Sequence, residues 1–526
     1  MKRYTKLLSL PLVFVLTSCG FFSNSKGYAS GKTVEGTKIK YSFSLDEKQK
    51  VLDCLDETLR LAEEGENFKA FEASYNKMND YYNKVVDAYK AEMLRYYMYG
   101  KEENQELQLK FYELMMEIVN KSTKIHYIVL DNDFKRSFYG DMPDEDIIKE
   151  IGPNYPDEYY EKKTKSEELE SEYNNLDPDS ATFNSDVNRI YVEFVKNQNE
   201  MAVLAGYDNF LDYSYENYYY RPYKYGVTDD YFTNIKTYAL PYFNRLYSDL
   251  TDDIAALSKD DLNDVRTFVL KNGFTTNFSL IEDYKDYYGG EFKTIFNDLW
   301  YESKSYYISY EDDATEAAFT SSRNGKPFVY FGKRYEATTI MHEFGHYYDA
   351  VINNDGTLCF DLAETQSQSN ELLFVNYLKE ANKFSNAACD VIINNQAIEM
   401  IYSVLVGAMV NEFEKKAYLD EDLTEAELDK YAKEVYQAVP IDDFDFDYYW
   451  RMVTIQSPGY YISYSTSAVG ALEIGNVAKT DLRGAIDKYE KVINYNKEHA
   501  DNYLLVLTDA GLSSPFNEST FKTIFK

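Results

Sequence analysis

Two of the four histidines in this chain stand four residues apart, in the segment TTIMHEFGHYYDA at residues 338–350. Positions four apart share one face of a helix, so His342 and His346 can offer neutral ring nitrogens to one metal ion. Glu343 is turned about 100° around the helix from His342. This offset lets its carboxylate reach a water at the metal without being a ligand, as a general base requires. The segment therefore predicts a metal-binding helix with hydrolytic chemistry.

The third metal ligand is predicted to be Glu364, in the downstream segment GTLCFDLAETQSQSNELLFVNYL. Two imidazoles and one carboxylate leave the fourth tetrahedral position of zinc open for water or substrate. A structural interpretation stays open, because Asp361 and Glu364 have the spacing of a variant capping box. Glu371 lies two turns further on the same helix face, where it would orient a ligand histidine without itself binding the metal, or would solvate the surface.

The other histidines and the cysteines predict no second site. His126 and His499 lack partners at metal-ligand spacing, so both are interpreted as structural. No two of the cysteines Cys54, Cys359 and Cys389 have the spacing of a C-x-x-C motif. One disulfide among them is possible, but buried free thiols are the simpler prediction.

The N-terminus has the features of a targeting segment. The stretch MKRYTKLLSLPLVFVLTSCGFF begins with basic residues and continues with an apolar run that is too short to span a bilayer. Its LTSC motif resembles the lipobox of bacterial lipoproteins, in which the signal is cut before a cysteine that carries lipid. Residues 1–18 are therefore predicted to be a lipoprotein signal peptide, with Cys19 as the lipidated N-terminus of an extracytoplasmic protein. An ordinary secretory signal is the alternative.

The rest of the chain is predicted to be mainly helical. Residues 19–45 are rich in Ser, Gly, Lys and Thr and are expected to form a flexible tether. Apolar stripes at helical spacing predict a helical N-terminal region over residues 46–200, followed by the catalytic region at 201–526. The segment KPFVYFGKRY at residues 326–335 predicts a short edge strand that would bind an extended peptide through its backbone.

Composition limits the classes of partner. Hydrophobic residues make up 44% of the chain and aromatic residues 17%, which supplies enough apolar surface for a folded core. The formal net charge is −34. Such a chain is repelled by nucleic acid and by anionic lipid head groups, so nucleic acid is excluded as a partner.

Several segments resemble the zinc metallopeptidases of the thimet oligopeptidase and oligoendopeptidase F family. HEFGH is similar to the metal helix of that family, and DLAETQSQSNELL is similar to the segment whose first glutamate is the third zinc ligand. Residues 204–223 and the C-terminal LLVLTDAGLSSPFNEST also resemble family segments. The resemblance implies a mainly α fold, with two lobes around a substrate channel and a small β-sheet next to the zinc-site helix.

The segment SPGYYISYSTSA at residues 457–468 resembles a family segment with paired tyrosines. The resemblance implies that Tyr464 and Tyr461 donate hydrogen bonds to the substrate carbonyl as it becomes an oxyanion, with core packing as the alternative. Family members usually carry a histidine just upstream, where this chain has Thr454. Either Thr454 or Tyr460 would partly substitute for it, or the enzyme would be slow. Many members also have a third histidine where this chain has Asp349.

These observations predict a lipid-anchored, extracytoplasmic zinc metalloendopeptidase that hydrolyses short peptides. One zinc ion would be held by His342, His346 and Glu364, with Glu343 as the general base. The expected partners are oligopeptide substrates and the membrane, the latter through the N-terminal lipid anchor. The alternative is a peptide-binding lipoprotein that retains the zinc site with weak or no turnover.

Overall fold

A computed structural model describes residues 34–35, 39–270, 274–309, 311, 314–315, 317–332, 336–354, 356–500 and 502–526. The predicted signal peptide, Cys19 and most of the predicted tether lie outside these residues. Helices dominate the described chain, so the prediction of a mainly α fold with a small sheet is confirmed. The first helices are α1 Lys48–Glu64, α2 Phe68–Tyr99, α3 Glu102–Leu130, α4 Phe134–Tyr139, α5 Asp144–Ile151, α6 Asp157–Asn174, α7 Phe183–Leu204, α8 Phe210–Asn217, α9 Thr228–Asn234, α10 Leu240–Ala256, α11 Lys259–Leu270, α12 Phe274–Tyr288 and α13 Gly290–Asn297.

A short mixed sheet separates these helices from the later ones. Its strands are β1 Val34–Glu35, β2 Tyr306–Ser309, β3 Ala318–Arg323 and β4 Lys326–Gly332. The helices that follow are α14 Ala337–Ile352, α15 Phe360–Glu380, α16 Asn386–Tyr418, α17 Glu425–Ala438, α18 Phe446–Val453, α19 Ile462–Ala478, α20 Leu482–Ile493, α21 Tyr503–Asp509 and α22 Glu518–Ile524.

The chain divides into two compact units. The first contains the described residues before Tyr155 and those between Asn297 and Tyr335, and the second contains Tyr155–Phe296 and Glu336–Lys526. This division differs from the predicted boundary near residue 200, because α6 and α7 pack on each other in the second unit. Asn197 of α7, for example, donates to the carbonyl of Lys162 in α6 over 2.6 Å.

The first unit has its own core between α1, α2 and α3, where Leu55, Phe71 and Leu114 are fully buried. Residues 39–45, the end of the predicted tether, also pack on this unit. Phe43 is buried in the core, and the hydroxyl of Tyr41 donates to Glu92 over 2.6 Å. Tyr41 and Phe43 thus pack the C-terminal end of the predicted tether against the first unit.

The sheet belongs to the first unit and has the order β1-β2-β4-β3. β4 is parallel to β2, with Tyr307 opposite Tyr330, and antiparallel to β3, with Phe319 opposite Tyr330. The predicted strand is therefore confirmed, but its prediction as an edge strand is wrong. Strands on both sides of β4 pair with its backbone, and its consecutive buried residues from Phe328 to Gly332 are typical of an internal strand.

The second unit is built around α15, α16 and α19, which pack on one another and are buried along most of their length. Among the described residues, α16 is the one helix long and apolar enough to cross a membrane, and 72% of its most apolar stretch is buried in the protein. Gly407 of α16 lets α19 approach closely, since an added Cβ would lie 2.4 Å from the carbonyl oxygen of Tyr461. Helix α16 is thus a core helix of this unit.

Candidate metal centre

The two histidines of HEFGH lie together on α14. The ring centroids of His342 and His346 are 5.0 Å apart, and each side chain keeps about a tenth of its surface exposed. Glu343, next to His342, is only 1% exposed. Helix α14 therefore presents two imidazoles on one face with a buried carboxylate beside them.

Gly345 brings this helix against α15. A Cβ added at Gly345 would lie 2.8 Å from Ser367 Cα and 3.2 Å from the carbonyl oxygen of Gln366. Glycine in a helix interior is unfavourable by about 1 kcal/mol relative to alanine, so its place here has a packing reason. The backbone contact brings Glu364, one turn before Ser367, to the histidines.

The predicted ligands meet at one point. Glu364 Oε2 lies 3.6 Å from His342 Nε2 and 3.9 Å from His346 Nε2, and the three ligand atoms are all within 4.8 Å of one another. Ligand atoms of a tetrahedral zinc site with bonds of about 2.1 Å are roughly 3.4 Å apart. Two imidazoles and a buried carboxylate at these distances fit a zinc ion.

Glu364 does not serve as a helix cap. The N-cap of α15 is Cys359, which makes no side-chain capping bond, and Asp361 binds Arg221 instead. The two carboxylate oxygens of Glu364 have separate partners: Oε1 accepts a 2.8 Å hydrogen bond from the hydroxyl of Tyr460, and Oε2 faces the histidines. The capping-box interpretation is therefore not supported.

Glu371 lies behind His342. Its Oε1 is 2.6 Å from His342 Nδ1, and its Oε2 accepts a 2.8 Å hydrogen bond from Gln396 of α16. Glu371 is 7% exposed, so it does not solvate the surface. A carboxylate at Nδ1 keeps the proton on that nitrogen and leaves Nε2 for a metal. Gln396 gave no recognisable signal in the sequence.

The carboxylates also set the protonation of the histidines. Burial disfavours the charged form of His342, but the hydrogen bond and charge of Glu371, with Glu343 and Glu364 nearby, outweigh burial and raise its pKa to about 9. Burial and the adjacent His342 hold the pKa of His346 well below its ordinary value. Burial raises the pKa of Glu364 and of Glu371, against the opposing effect of His342. The carboxylates thus favour a positive charge at His342, whereas burial favours the neutral form of His346.

Three tyrosines cluster beside Glu364. The ring of Tyr460 is 5.0 Å from that of Tyr464, and the ring of Tyr461 is 5.9 Å from each of them. Tyr464 is 4% exposed, whereas Tyr461 at the N-cap of α19 is partly exposed. The structure thus brings both predicted tyrosines next to the tyrosine that contacts the third ligand.

The two positions at which the chain departs from the family pattern have structural partners. Thr454 is fully buried, and its hydroxyl donates to the carbonyl of Trp450 over 2.9 Å. Asp349 accepts hydrogen bonds from Gln366 over 2.9 Å and from the backbone N–H of Thr357 over 2.7 Å. Asp349 therefore ties the connection after α14 to α15.

The residues predicted to be structural are not among the three side chains that could hold a metal ion. His126 is buried in the first unit between the hydroxyls of Tyr75 and Tyr139, and burial lowers its pKa to about 3. His499 is paired with Asp509. The three cysteines outside the N-terminal segment, Cys54, Cys359 and Cys389, are buried and free, as predicted.

Comparisons with known proteins rest on structure. No family model and no curated protein matches the sequence. Solved structures do match: PZ peptidase A with an inhibitor has a TM-score of 0.70 at 14% identity, covering 93% of this chain and 97% of that chain. A Bacillus anthracis protein designated oligoendopeptidase F has a TM-score of 0.65 at 16% identity, with coverage of 92% and 96%. Oligoendopeptidase-F from Enterococcus faecium has a TM-score of 0.52 at 15% identity, with coverage of 91% and 96%. The chain therefore has the fold of the oligoendopeptidase F structures, as the sequence resemblance implied.

Proposed function

We propose that this chain is a lipid-anchored, extracytoplasmic zinc metalloendopeptidase that hydrolyses short peptides. The observation that carries the proposal is the meeting of His342 Nε2, His346 Nε2 and Glu364 Oε2 around one point. Glu343 is buried on the same helix, one residue from the first of them. The shared fold with solved oligoendopeptidases supports peptides as the substrate class.

The three side chains would hold the zinc, and Glu343 would move the proton. Bound zinc supplies Lewis-acid chemistry, which polarises the scissile carbonyl and lowers the pKa of water. Glu343 accepts a proton as the water oxygen attacks the carbonyl carbon. It then delivers that proton to the nitrogen as the carbon–nitrogen bond breaks, which releases a carboxylate and an amine.

Oxyanion stabilisation is assigned to Tyr464 with Tyr461. Tyr460 and Thr454 were the two candidates to replace the missing histidine. The hydroxyl of Tyr460 donates to Glu364, and that of Thr454 donates to the carbonyl of Trp450. Both hydroxyl protons are therefore already used in hydrogen bonds within the protein. Tyr464 and Tyr461 lie beside Tyr460 at ring distances of 5.0 and 5.9 Å. They are the predicted donors that would face the carbonyl oxygen as negative charge develops on it.

The second candidate function is a peptide-binding lipoprotein that keeps the zinc site with weak or no turnover. The buried, engaged hydroxyl of Thr454 favours it, because loss of one oxyanion donor typically costs a factor of about 100 to 1000 in turnover. Glu343 argues against it, since a binding protein gains nothing from a general base.

One experiment separates these functions. Zinc content is measured first, followed by cleavage of a mixed pool of fluorogenic peptides by wild type, by Glu343→Gln and by a control, Glu473→Gln, which contacts Ser513 instead of the site. The peptidase proposal expects stoichiometric zinc in all three proteins and cleavage by wild type and the control. Stoichiometric zinc with no cleavage above the Glu343→Gln rate supports the binding protein, and absence of zinc refutes the site.

The lipid anchor needs its own test, because it rests on residues 1–19 alone. Expression of the full chain and of Cys19→Ala in a bacterium, with an alkyne fatty acid and membrane fractionation, measures lipidation directly. The proposal expects label and membrane association in wild type and loss of both in Cys19→Ala. An unlabelled wild-type protein in the soluble fraction would indicate an ordinary secretory signal.

A further inference from the structure

The side chains of Tyr219 and Arg221 bind the backbone of the loop that contains Tyr460. The hydroxyl of Tyr219 donates to the carbonyl of Pro458 over 2.7 Å. The guanidinium of Arg221 donates to the next two carbonyls, that of Gly459 over 2.8 Å and that of Tyr460 over 3.1 Å. Three consecutive carbonyl oxygens are thus bound by side chains only two residues apart in sequence.

The same guanidinium also binds the helix that carries Glu364. Arg221 Nε lies 3.3 Å from Asp361 Oδ1, and both side chains are fully buried. Asp361 is on α15, one turn before Glu364. The guanidinium of Arg221 lies over the rings of Tyr215 and Tyr219, 4.3 and 4.4 Å from their centroids, which restricts its movement. Its fork of donors therefore joins the loop of Tyr460 to the helix of Glu364.

The loop is held from its other side as well. The N–H of Gly459 donates to Glu414 Oε1 over 2.7 Å. Gly459 has a φ of +75°, and a Cβ there would lie 3.0 Å from Ser214 Oγ. Arg221 binds two carbonyls of the loop, and Glu414 binds one N–H group. The loop backbone is therefore held from both sides.

We infer that Arg221 is a positioning residue of the metal centre. By holding the loop, it keeps the hydroxyl of Tyr460 on Glu364 Oε1 and so leaves Oε2 turned toward His342 and His346. The inference rests on the proposed function only in taking Glu364 as a metal ligand. Loss of such an outer partner typically costs about 10- to 100-fold in metal affinity.

The test is a double-mutant cycle on zinc affinity, measured by competition with a chelator of known affinity and without any peptide. Tyr460→Phe and Arg221→Met are each expected to weaken zinc binding by about 10- to 100-fold. The double variant is expected to bind no more weakly than the more affected single variant, because Arg221 acts through Tyr460. Arg221→Lys keeps the positive charge but not the planar set of N–H donors. This variant is expected to bind zinc more tightly than Arg221→Met but more weakly than wild type.

Arg451→Met is the matched control for removing a buried arginine. Arg451 is 2% exposed and lies 4.5 Å from the ring of Trp450. It donates to Asn188 over 2.9 Å, to the carbonyl of Asp447 over 2.6 Å and to Asp429 over 2.7 Å, instead of to the residues around Glu364. The zinc affinity of the Arg451→Met protein is expected to equal that of wild type. Since Arg221→Met leaves Asp361 buried without its cation, Arg221→Met/Asp361→Asn and Tyr219→Phe serve as second variants, and both are expected to weaken zinc binding.

Two results would overturn the inference. One is a folded Arg221→Met protein, by circular dichroism and thermal melting, whose zinc affinity is within about threefold of wild type. The other is a double variant in which the two losses multiply, since independent effects would then act on the site. A protein that binds zinc and follows the expected cycle but cleaves no peptide would retain Arg221 as a positioning residue and lose the peptidase proposal.

Discussion

His342 Nδ1 and Glu371 Oε1 lie 2.6 Å apart, and the other oxygen of Glu371 accepts a hydrogen bond from Gln396. The pair fixes which ring nitrogen of His342 faces Glu364. A buried carboxylate also favours a positive charge at the imidazole, whether a proton or a metal supplies it. Side chains of α14, α15 and α16 are thus joined through one glutamate.

Substitutions of Glu371 are expected to separate its charge from its hydrogen bond. Glu371→Gln keeps an oxygen that can accept from His342 Nδ1, whereas Glu371→Leu removes the acceptor. The leucine variant should lose about 10- to 100-fold in zinc affinity, and the glutamine variant should lose less. Chelator competition measures both. Equal affinities for the leucine variant and wild type would show that Glu371 does not orient the histidine.

Gly345→Ala is expected to push α14 away from α15. Alanine is favoured over glycine in a helix by about 1 kcal/mol, but overpacking costs about 1–3 kcal/mol, and the 2.8 Å approach to Ser367 Cα is to rigid backbone. The variant should therefore unfold at lower urea concentration and bind zinc less tightly. Gly226→Ala is the control, since an added Cβ there meets nothing within 4 Å. Unchanged stability and zinc affinity in Gly345→Ala would contradict the close packing.

Tyr464 and Tyr460 are expected to differ in the step that they affect. Tyr464→Phe should lower kcat by a factor of about 100 to 1000 and leave zinc affinity unchanged, because its hydroxyl acts on the developing oxyanion. Tyr460→Phe should weaken zinc binding, since its hydroxyl contacts Glu364. Peptide kinetics at saturating zinc, together with chelator competition, measure both effects. If the Tyr464→Phe enzyme had the kcat of wild type, Tyr464 would be a packing residue instead of an oxyanion donor.

His126 is expected to make the stability of the first unit depend on pH. Its pKa is about 3 in the folded chain and ordinarily 6.5, because burial disfavours the charged ring. Below pH 6.5 the unfolded chain binds a proton that the folded chain does not, so the free energy of unfolding falls by about 1.4 kcal/mol per pH unit toward pH 3. Urea unfolding of wild type and His126→Gln between pH 7 and 4 measures this. The slope should be shallower in the variant, and equal slopes would contradict the prediction.

The grouping of His342, His346 and Glu364 was predictable because the signal is local. His342 and His346 are one helical turn apart on any helix, and Glu364 opens the next helix along the chain. The pattern of apolar residues likewise predicts a mainly helical chain. These features depend on spacing within one or two elements, which the sequence shows directly.

Contacts between distant segments were not predictable in the same way. Arg221 reaches the carbonyl of Tyr460 across 239 residues, so no spacing within one helix or strand predicts the contact. The run from Phe328 to Gly332 predicts a strand, but whether it has one neighbour or two depends on β2 and β3. Phe43 similarly joins a core that is formed by later helices.

The central claim is that this chain hydrolyses peptides with one zinc ion held by His342, His346 and Glu364. The most direct test removes the metal with a chelator and follows peptide cleavage as Zn²⁺ is added back. The account predicts that cleavage stops on removal and returns in proportion to added zinc, reaching its maximum at one ion per chain. His346→Ala and Glu364→Ala should recover no activity at that ratio. Full cleavage by zinc-free protein, or no cleavage by wild type loaded with one zinc per chain, would contradict it.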